Sequence, residues 1–291
     1  MKISRSTFYG YLFFAPFLVA FLAFRIGPFV HSIWLSLHEW AIFADPVFVG
    51  LDNFRELFTT PRFWQSLRNT IYFTVLTVPP LVVVGFCFAL VVNSDIYGRG
   101  FFRFFFYLPH ILSVSVVCLT WILILMREFG LLNLVITQVG LPRVPWLGSP
   151  RYAMISIALT TIWWTFGFNF LIYLSSLQSI PLSLYESAQI DGAGPLRRLF
   201  GITIPILKHT HGLVAVLQII ASLQIFAQVY IMTEGGPGGS TRVIIQYIYD
   251  EGFRHFNMGY AQAAAFAFFV MMVGIAYIQV KLTIQSGDES R

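Results

Sequence analysis

The chain has 291 residues, of which 18 are Lys or Arg and 13 are Asp or Glu, so that only 11% are charged and the formal net charge is +5. About 25% of the residues are charged in a typical soluble domain, whereas 57% of this chain is hydrophobic. This composition excludes a soluble enzyme, a disordered chain and a disulfide-rich secreted fold, and it indicates that much of the surface faces lipid.

Six long stretches of the chain contain no Asp, Glu, Lys or Arg. They hold 19 to 34 residues each and are continuously apolar rather than alternating, which favours helices over a transmembrane barrel. A helix needs about 20 apolar residues to cross a bilayer, and a charge at the bilayer centre costs about 3 kcal/mol. The sequence therefore predicts an all-α polytopic membrane protein, a single transmembrane domain over residues 1–291, with spans at about 8–35, 69–94, 104–126, 152–178, 204–232 and 257–281.

The first apolar stretch could be mistaken for a secretory signal, because it follows two basic residues. A signal peptide has a shorter apolar core that ends at a small-x-small cleavage site. Here the stretch continues from Arg5 toward Trp34, and Ala20 and Ala23 do not have the cleavage spacing. We therefore expect an uncleaved first span.

Basic residues give the orientation of the spans. If the N-terminus is cytoplasmic, nine Lys or Arg lie in inside segments and nine in outside segments. The inside segments total roughly 60 residues against roughly 95 outside, so the density of basic residues favours this orientation. An even number of spans then places both termini in the cytoplasm.

The segment after the first span is predicted to contain a short helix. Asp52 is placed to cap a short helix through Arg55 and Phe58, which would lie in the outer membrane interface.

Proline kinks a helix, a feature that suits a transporter but also occurs in static membrane proteins. Kinks are expected at Pro16, Pro28, Pro79, Pro80 and Pro109.

The hydrophilic segment 179–203, between the fourth and fifth spans, has the pattern of a folded element rather than a simple linker. Ser183 and Glu186 are three residues apart, which is the spacing of a capping box, and the next residues can form two helical turns. Gly192 supplies a stop, and Pro195 can start a second short helix. Because a two-turn helix is not stable alone, it must either lie against its own membrane domain or dock into a partner.

The same segment carries a family resemblance. Glu186-Ser187-Ala188, three residues, Gly192, nine residues and Ile202-Thr203-Ile204-Pro205 resembles the EAA loop, E-A-A-x3-G-x9-I-x-L-P, of permease subunits of binding-protein-dependent ABC importers. Ser187 and Ile204 depart from the pattern but keep its size classes. Four further motifs are similar to the carbohydrate-uptake branch, of the larger-permease type of maltose and glycerol-3-phosphate transport, at 48–54, 98–103, 129–133 and 233–237.

The resemblance implies the partners and a role for the loop. In that family a coupling helix contacts a cytoplasmic ABC ATPase dimer, a second homologous permease subunit is present, and an extracytoplasmic solute-binding protein delivers the sugar. The chain would then be an inner-membrane permease that imports a sugar or polyol, with no nucleic-acid partner. It is not expected to be an enzyme or to bind a cofactor, because it lacks the Gly-x4-Gly-Lys-Ser/Thr loop that holds ATP. The residues assigned to coupling are Glu186, Ser187, Ala188, Asp191, Gly192 and Ala193.

Spans four and five carry the residues expected to line the substrate path. A sugar site needs aromatic faces and hydrogen-bonding groups in one cavity, and polar groups inside a membrane should point away from lipid. The candidates on one face of span four are Thr161, Trp164, Thr165 and Phe168, and those on one face of span five are Gln218 and Ser222. In the alternative interpretation the hydroxyls bond their own backbone and Trp164 only packs. Competing candidates on other faces are Asn169, Gln224 and Gln228.

A secondary, ion-coupled transporter is the alternative function. Such a protein needs ionisable groups at mid-membrane, and the six apolar stretches contain no carboxylate. The sequence also predicts neither a disulfide nor a metal site. Cys87 and Cys118 lie within apolar stretches, and His209 and His211 have no third ligand nearby.

Overall fold

The computed structural model describes residues 5–41, 45–94 and 97–288. Within these residues the helices are joined by turns and loops, and the named strands are the antiparallel pair β1 (His38–Glu39) and β2 (Val47–Phe48). The helices are α1 (Arg5–Phe21), α2 (Gly27–Ser36), α3 (Asp52–Thr59), α4 (Pro61–Asn93), α5 (Arg99–Ile111), α6 (Val114–Leu125), α7 (Leu131–Gln138), α8 (Ala153–Gln178), α9 (Leu182–Ile190), α10 (Pro195–Arg198), α11 (Ile204–Ile206), α12 (Lys208–Leu223), α13 (Ala227–Met232), α14 (Ile244–Tyr249) and α15 (Met258–Asp288).

Four helical stretches in the described part of the chain are long and apolar enough to cross a membrane: Tyr9–Ser36, Pro61–Asn93, Ala153–Gln178 and Met258–Gln279. Two bent pairs bring the number to six if each pair counts as one span. These pairs are α5 with α6, and α10–α11 with α12. The predicted class, an all-α polytopic membrane protein, is confirmed.

The third predicted span, 104–126, consists of two helices that meet at 95°. Pro109 lies in the last turn of α5, where it removes a backbone donor. Leu112 and Ser113 are extended, and the Ser113 hydroxyl accepts a hydrogen bond from the Val116 N–H at 3.5 Å, which makes Ser113 the N-cap of α6. The bend therefore has a local cause in the sequence.

The fifth predicted span, 204–232, is also interrupted. It bends by 63° between α11 and α12. Helix α12 ends at Leu223, and α13 begins only at Ala227, after Phe226 leaves the helical region. The continuous helix thus ends nine residues before the C-terminal end of the predicted span.

Proline has different effects in different spans. Pro28 and Pro205 each follow a π-helical turn in which an N–H bonds the carbonyl five residues earlier: Gly27 to Leu22, and Ile204 to Leu199. A π-turn accommodates the loss of a regular hydrogen bond near proline. The pair Pro79-Pro80, by contrast, lies inside the single helix α4.

One compact unit of the chain comprises Met1–Phe63 and Tyr247–Val270. Within it, the Asn53 side-chain amide donates to the carbonyls of Ser36 and His38, both at 2.9 Å. Asn53 is itself buried, so α3 is held against the end of the first span. The motif at 48–54 therefore has a structural role at this corner.

Asp52 does not cap α3 as the sequence predicted. The N-cap is Leu51, and no side chain completes the cap. Asp52 is instead the first helical residue, where its negative charge interacts favourably with the positive N-terminal end of the helix dipole. The aromatic side chains of α3 are only partly exposed, because Phe58 is exposed while Phe54 lies edge-on to Phe266.

Two tyrosines connect α14 with α15 in the same unit. Tyr247 and Tyr260 are buried, and their hydroxyl oxygens are 2.7 Å apart. Burial, followed by this hydrogen bond, raises the pKa of Tyr247. Tyr247 therefore stays protonated at neutral pH and can donate within the pair.

The second compact unit comprises Trp64–Gln246 and Met271–Arg291. Helices α5 and α8 pack closely in it, and their backbones meet at Gly167, where an added Cβ would overlap the carbonyl oxygen of Phe106. Two apolar clusters form its core. Among their members are Phe73, Cys118, Met154, Ile157 and Val229 in the first, and Ala89, Val92, Phe170, Tyr173 and Leu177 in the second.

Two of the motifs help to hold loops of this unit in place. Asn133, in the motif at 129–133, is buried and bonds both backbone groups of Val144 at 2.9 and 3.0 Å. In the motif at 233–237, Gly235 has a φ of +81° and packs against the side chain of the buried Gln246. Both motifs are thus explained by loop structure.

Candidate functional site

The segment 182–193 begins with helix α9, whose start differs from the prediction. The N-cap is Pro181, and its carbonyl accepts from the Leu184 N–H at 3.2 Å. The predicted capping box of Ser183 and Glu186 is wrong, because Ser183 already lies inside the helix and no side chain caps it. Glu186 is exposed, so its carboxylate faces outward and can meet a group on another molecule.

The stop predicted at Gly192 is confirmed. Gly192 has a φ of +76°, a conformation that residues with a Cβ rarely adopt. Its N–H donates to the Gln189 carbonyl at 3.1 Å, and the Ala193 N–H donates to the Ala188 carbonyl at 2.8 Å. These two bonds are the Schellman arrangement, which satisfies the last carbonyls of a helix.

The segment exposes both polar and apolar side chains. Among the six residues assigned to coupling, those exposed are Glu186, Ser187, Asp191 and Gly192, and those half-buried are Ala188 and Ala193. Three large apolar residues in and just after the segment are also exposed: Ile190 (86%), Leu196 (70%) and Phe200 (66%). Such a surface at the ends of membrane spans suits contact with a partner or with lipid.

Helix α9 is connected to the spans on both sides. Only three residues, 179–181, separate it from α8. Its Tyr185 packs against the core cluster around Tyr173, and the Tyr185 hydroxyl lies 2.9 Å from the Thr203 hydroxyl at the start of the fifth span. The sequence patterns did not predict this hydrogen bond. A displacement of α9 would therefore pull on spans four and five together.

The threonines predicted to line a path use their hydroxyls locally. Thr161 donates to the Ile157 carbonyl at 2.9 Å, and Thr165 donates to the Thr161 carbonyl at 2.7 Å. This geometry matches the alternative in which hydroxyls bond their own helix. Thr161, Thr165 and Asn169 follow at i, i+4 and i+8, so Asn169 belongs to the same row rather than to another face.

Trp164 and Phe168 lie against the end of α5. The Trp164 indole N–H donates to the Leu112 carbonyl at 3.2 Å, at the point where the third span bends. The Phe168 ring stacks on His110 with the ring centres 5.5 Å apart. Trp164 therefore satisfies a carbonyl freed by the bend, in addition to offering an aromatic surface.

Gln218 and Ser222 bond other helices. Gln218 donates to the Asn169 side-chain oxygen at 2.8 Å, and the Ser222 hydroxyl donates to Thr74 of α4 at 3.0 Å. Gln218, Ser222 and Asn169 are all buried. The sequence analysis placed Asn169 among the competing candidates on other faces. In the structure Asn169 is hydrogen-bonded to Gln218, one of the residues predicted to line the path.

These contacts belong to a row of polar bonds between α8 and α12. The row consists of Ser176 with Thr210 (3.1 Å), Tyr173 with His211 (2.9 Å) and Asn169 with Gln218 (2.8 Å). Such bonds hold membrane helices together. In the part of the chain that the structure describes, the buried Nδ2 of Asn169 and Nε2 of His211 have no hydrogen-bond partner. Both atoms are enclosed by protein and keep an unused hydrogen-bonding capacity, which a solute could use only after the surrounding helices move.

Comparison with known proteins gives matches over nearly the whole chain. A family described as "Binding-protein-dependent transport system inner membrane component" matches residues 57–283. The probable ABC transporter permease protein YurN of Bacillus subtilis is 34% identical over 292 residues, with 99% of each chain covered. The trehalose/maltose transport system permease protein MalF of Thermococcus litoralis is 33% identical over 282 residues, covering 96% of this chain and 94% of the relative.

Similar solved structures agree with these matches. One is a crystal structure of a bacterial alginate ABC transporter in complex with an alginate pentasaccharide-bound periplasmic protein. A chain of that complex has a TM-score of 0.82 and 25% identity to this chain, with 94% of this chain and 93% of the other covered. The similarity therefore includes both the arrangement of the helices and the sequence.

Proposed function

The chain belongs to the family of binding-protein-dependent transport system inner membrane components, and from this membership we propose that it carries a carbohydrate across the cytoplasmic membrane. It is a permease subunit of an ABC importer and not itself an enzyme. The carbohydrate assignment rests on one observation above all, the nearly full-length match to a trehalose/maltose permease. The structurally similar alginate transporter, whose periplasmic protein holds an alginate pentasaccharide, supports the same class of solute.

Three partners complete the proposed transporter: a second homologous permease, a cytoplasmic ABC ATPase dimer that binds the ATP, and an extracytoplasmic solute-binding protein. Support comes from the family description and from the periplasmic protein in the alginate transporter structure. If α9 contacts the ATPase, α9 lies in the cytoplasm, and with six spans both termini lie there as well. The basic density of the inside segments supports the same orientation.

We assign coupling to residues 182–193. Glu186 and Ile190 face outward, where a cleft of the ATPase could receive them. The Tyr185–Thr203 hydrogen bond and the three-residue link to α8 connect the same helix to spans four and five. Closure of the ATPase dimer would thus move both spans together and change which side of the membrane the solute path faces.

We place the solute path along α8 and α12, near Asn169 and Gln218. A sugar hydroxyl can accept from the Asn169 Nδ2, which has no partner in the described structure. Trp164 and Phe168, on the same helix, offer aromatic faces for a sugar ring. Thr161, Thr165 and Ser222 bond protein groups in this state, and we assign them to the lining of the path.

Ion coupling, the alternative drive, is not supported. The candidate spans contain no Asp or Glu within their apolar windows, whereas proton- or sodium-coupled carriers use such groups at mid-membrane. The relative from Bacillus subtilis is a probable ABC transporter permease. The relative from Thermococcus litoralis is a permease of a trehalose/maltose transport system. We therefore infer that ATP hydrolysis on a separate subunit provides the energy.

Purification of the affinity-tagged chain from its native membrane tests the proposed function. A second permease and an ABC ATPase, identified by mass spectrometry, should copurify in stable proportion. In proteoliposomes, ATP hydrolysis by this assembly should rise when a solute-binding protein loaded with an oligosaccharide is added. Hydrolysis that is indifferent to every loaded binding protein from the same organism would contradict the proposal.

Trp164→Ala combined with Gln218→Ala is expected to lower sugar uptake about tenfold, or about 1.4 kcal/mol, while the complex still assembles. The sugar would lose an aromatic face, and Asn169 would lose the Gln218 hydrogen bond that orients its side chain. Uptake of a labelled sugar into proteoliposomes measures the effect. Trp163→Ala is the matched control, since Trp163 lies in a different, apolar groove beside Leu159 and Phe166. Equal uptake by the double variant and the control would remove this path assignment.

A further inference from the structure

A cavity of about 740 Å³ lies next to α9. It is lined by the end of α4, the start of α5, the end of α8 and the turn from α10 to Thr203. Helix α9 contributes Leu182 and Tyr185, whereas Glu186, which we assign to the ATPase contact, is not part of the lining. The cavity therefore shares Leu182 and Tyr185 with the coupling segment, but its lining includes neither the outward-facing Glu186 and Ile190 nor any residue assigned to the solute path.

Basic and hydrogen-bonding groups form part of the cavity lining. Arg198, at the end of α10, is half-buried in its lining. Arg99 lies at the start of α5, where its Nε donates to the Ser94 carbonyl at 2.9 Å. None of the lining residues that the structure describes is Asp or Glu. An anionic group in the cavity would thus meet positive charge without acidic competition from these residues.

Another part of the cavity lining is apolar. Leu90, Leu177, Ile180 and Leu199 contribute to it, and Leu177 and Ile180 belong to the buried core cluster that continues toward the membrane-spanning part of α8. A small soluble anion gains nothing from such a surface, whereas an amphiphile can bury its first carbon atoms there. The combination matches a molecule with an anionic head and an apolar chain.

We propose that this cavity binds an anionic phospholipid, with the phosphate beside Arg198 and the start of the acyl chains on the leucine-lined part. The placement at the cytoplasmic membrane surface rests on the proposed function, which puts α9 in the cytoplasm. That leaflet carries anionic lipids, and a basic residue near its surface contributes about 1 kcal/mol to their binding. The bound lipid would contact α9, α4 and α8 together and so support the helix that transmits ATPase movement.

Binding of labelled phosphatidylglycerol to the purified full-length chain in neutral detergent tests the proposal. Arg198→Gln is expected to weaken binding about fivefold. Arg197→Gln is the matched control, because Arg197 is exposed and does not line the cavity. Arg198→Lys keeps the charge and should retain most of the binding, which separates loss of charge from misfolding. Labelled phosphatidylcholine should bind more weakly than phosphatidylglycerol.

Three results would overturn the proposal. The first is unchanged phosphatidylglycerol binding by Arg198→Gln, and the second is an equal loss in Arg197→Gln, which would indicate general surface attraction. The third is displacement of the labelled lipid by millimolar inorganic phosphate, which would make the cavity a site for soluble anions. Because this assay measures neither uptake nor ATP hydrolysis, its failure would leave the permease function standing, and failure of transport would leave the lipid result standing.

Discussion

A single methyl group added by Gly167→Ala is expected to destabilise the chain by about 1–3 kcal/mol, the usual cost of overpacking a close contact. The reason is that the new Cβ would overlap the carbonyl oxygen of Phe106, a backbone atom that cannot rotate away as a side chain can. Helix α5 would have to move off α8. The contact between Trp164 and the Leu112 carbonyl, between the same two helices, would be weakened with it.

Gly100→Ala is the matched control for this prediction. Gly100 lies in α5 itself, but apart from its chain neighbours and the backbone of its own helix no atom lies within 4 Å of the position that its Cβ would occupy. Because alanine is favoured over glycine in helices, this variant should keep or slightly raise the stability. Thermal unfolding of the purified chain in detergent measures both. Equal midpoints for the two variants would show that α5 and α8 do not meet closely at residue 167.

The spans could be predicted because the cost of a charge in lipid acts on each residue independently of the rest of the fold. A span such as 69–94 can therefore be recognised from its lack of charged residues alone. The bend between α5 and α6 depends instead on which side chains bond the backbone groups that have no partner within a helix. Ser113 caps α6 and the Trp164 indole bonds the Leu112 carbonyl, and only the Ser113 cap involves residues close together in the sequence.

The same distinction applies to the candidate site. The stop at Gly192 could be predicted, because a positive φ is a property of one residue. The start of α9 at Leu182 was missed, because Pro181 replaced the side-chain cap that Ser183 could have made two residues later. The pairing of Gln218 with Asn169 joins residues 49 positions apart, and no local period encodes such a contact.

Gly192→Pro combined with Glu186→Ala is expected to reduce uptake to background while the chain still inserts into the membrane. Proline fixes φ near −65° and has no N–H. Gly192 needs a φ of +76° and donates its N–H to Gln189, so the end of α9 would unwind. Glu186→Ala removes the exposed carboxylate from the same helix. Copurification of the ATPase, together with its stimulation by the loaded solute-binding protein, measures the loss of coupling.

The single variants and a neighbouring glycine show which feature of α9 matters. Gly192→Ala keeps the N–H and adds only the left-handed backbone cost of about 1–2 kcal/mol, so it should retain partial coupling. Gly194→Ala should be normal, because Gly194 has a φ of −67° and open space around its Cβ position. If Gly192→Pro supported the same substrate-stimulated hydrolysis as Gly194→Ala, the ordered C-terminal end of α9 would have no part in coupling. In that case the ATPase contact would have to be sought elsewhere, first at the exposed side chains of Leu196 and Phe200.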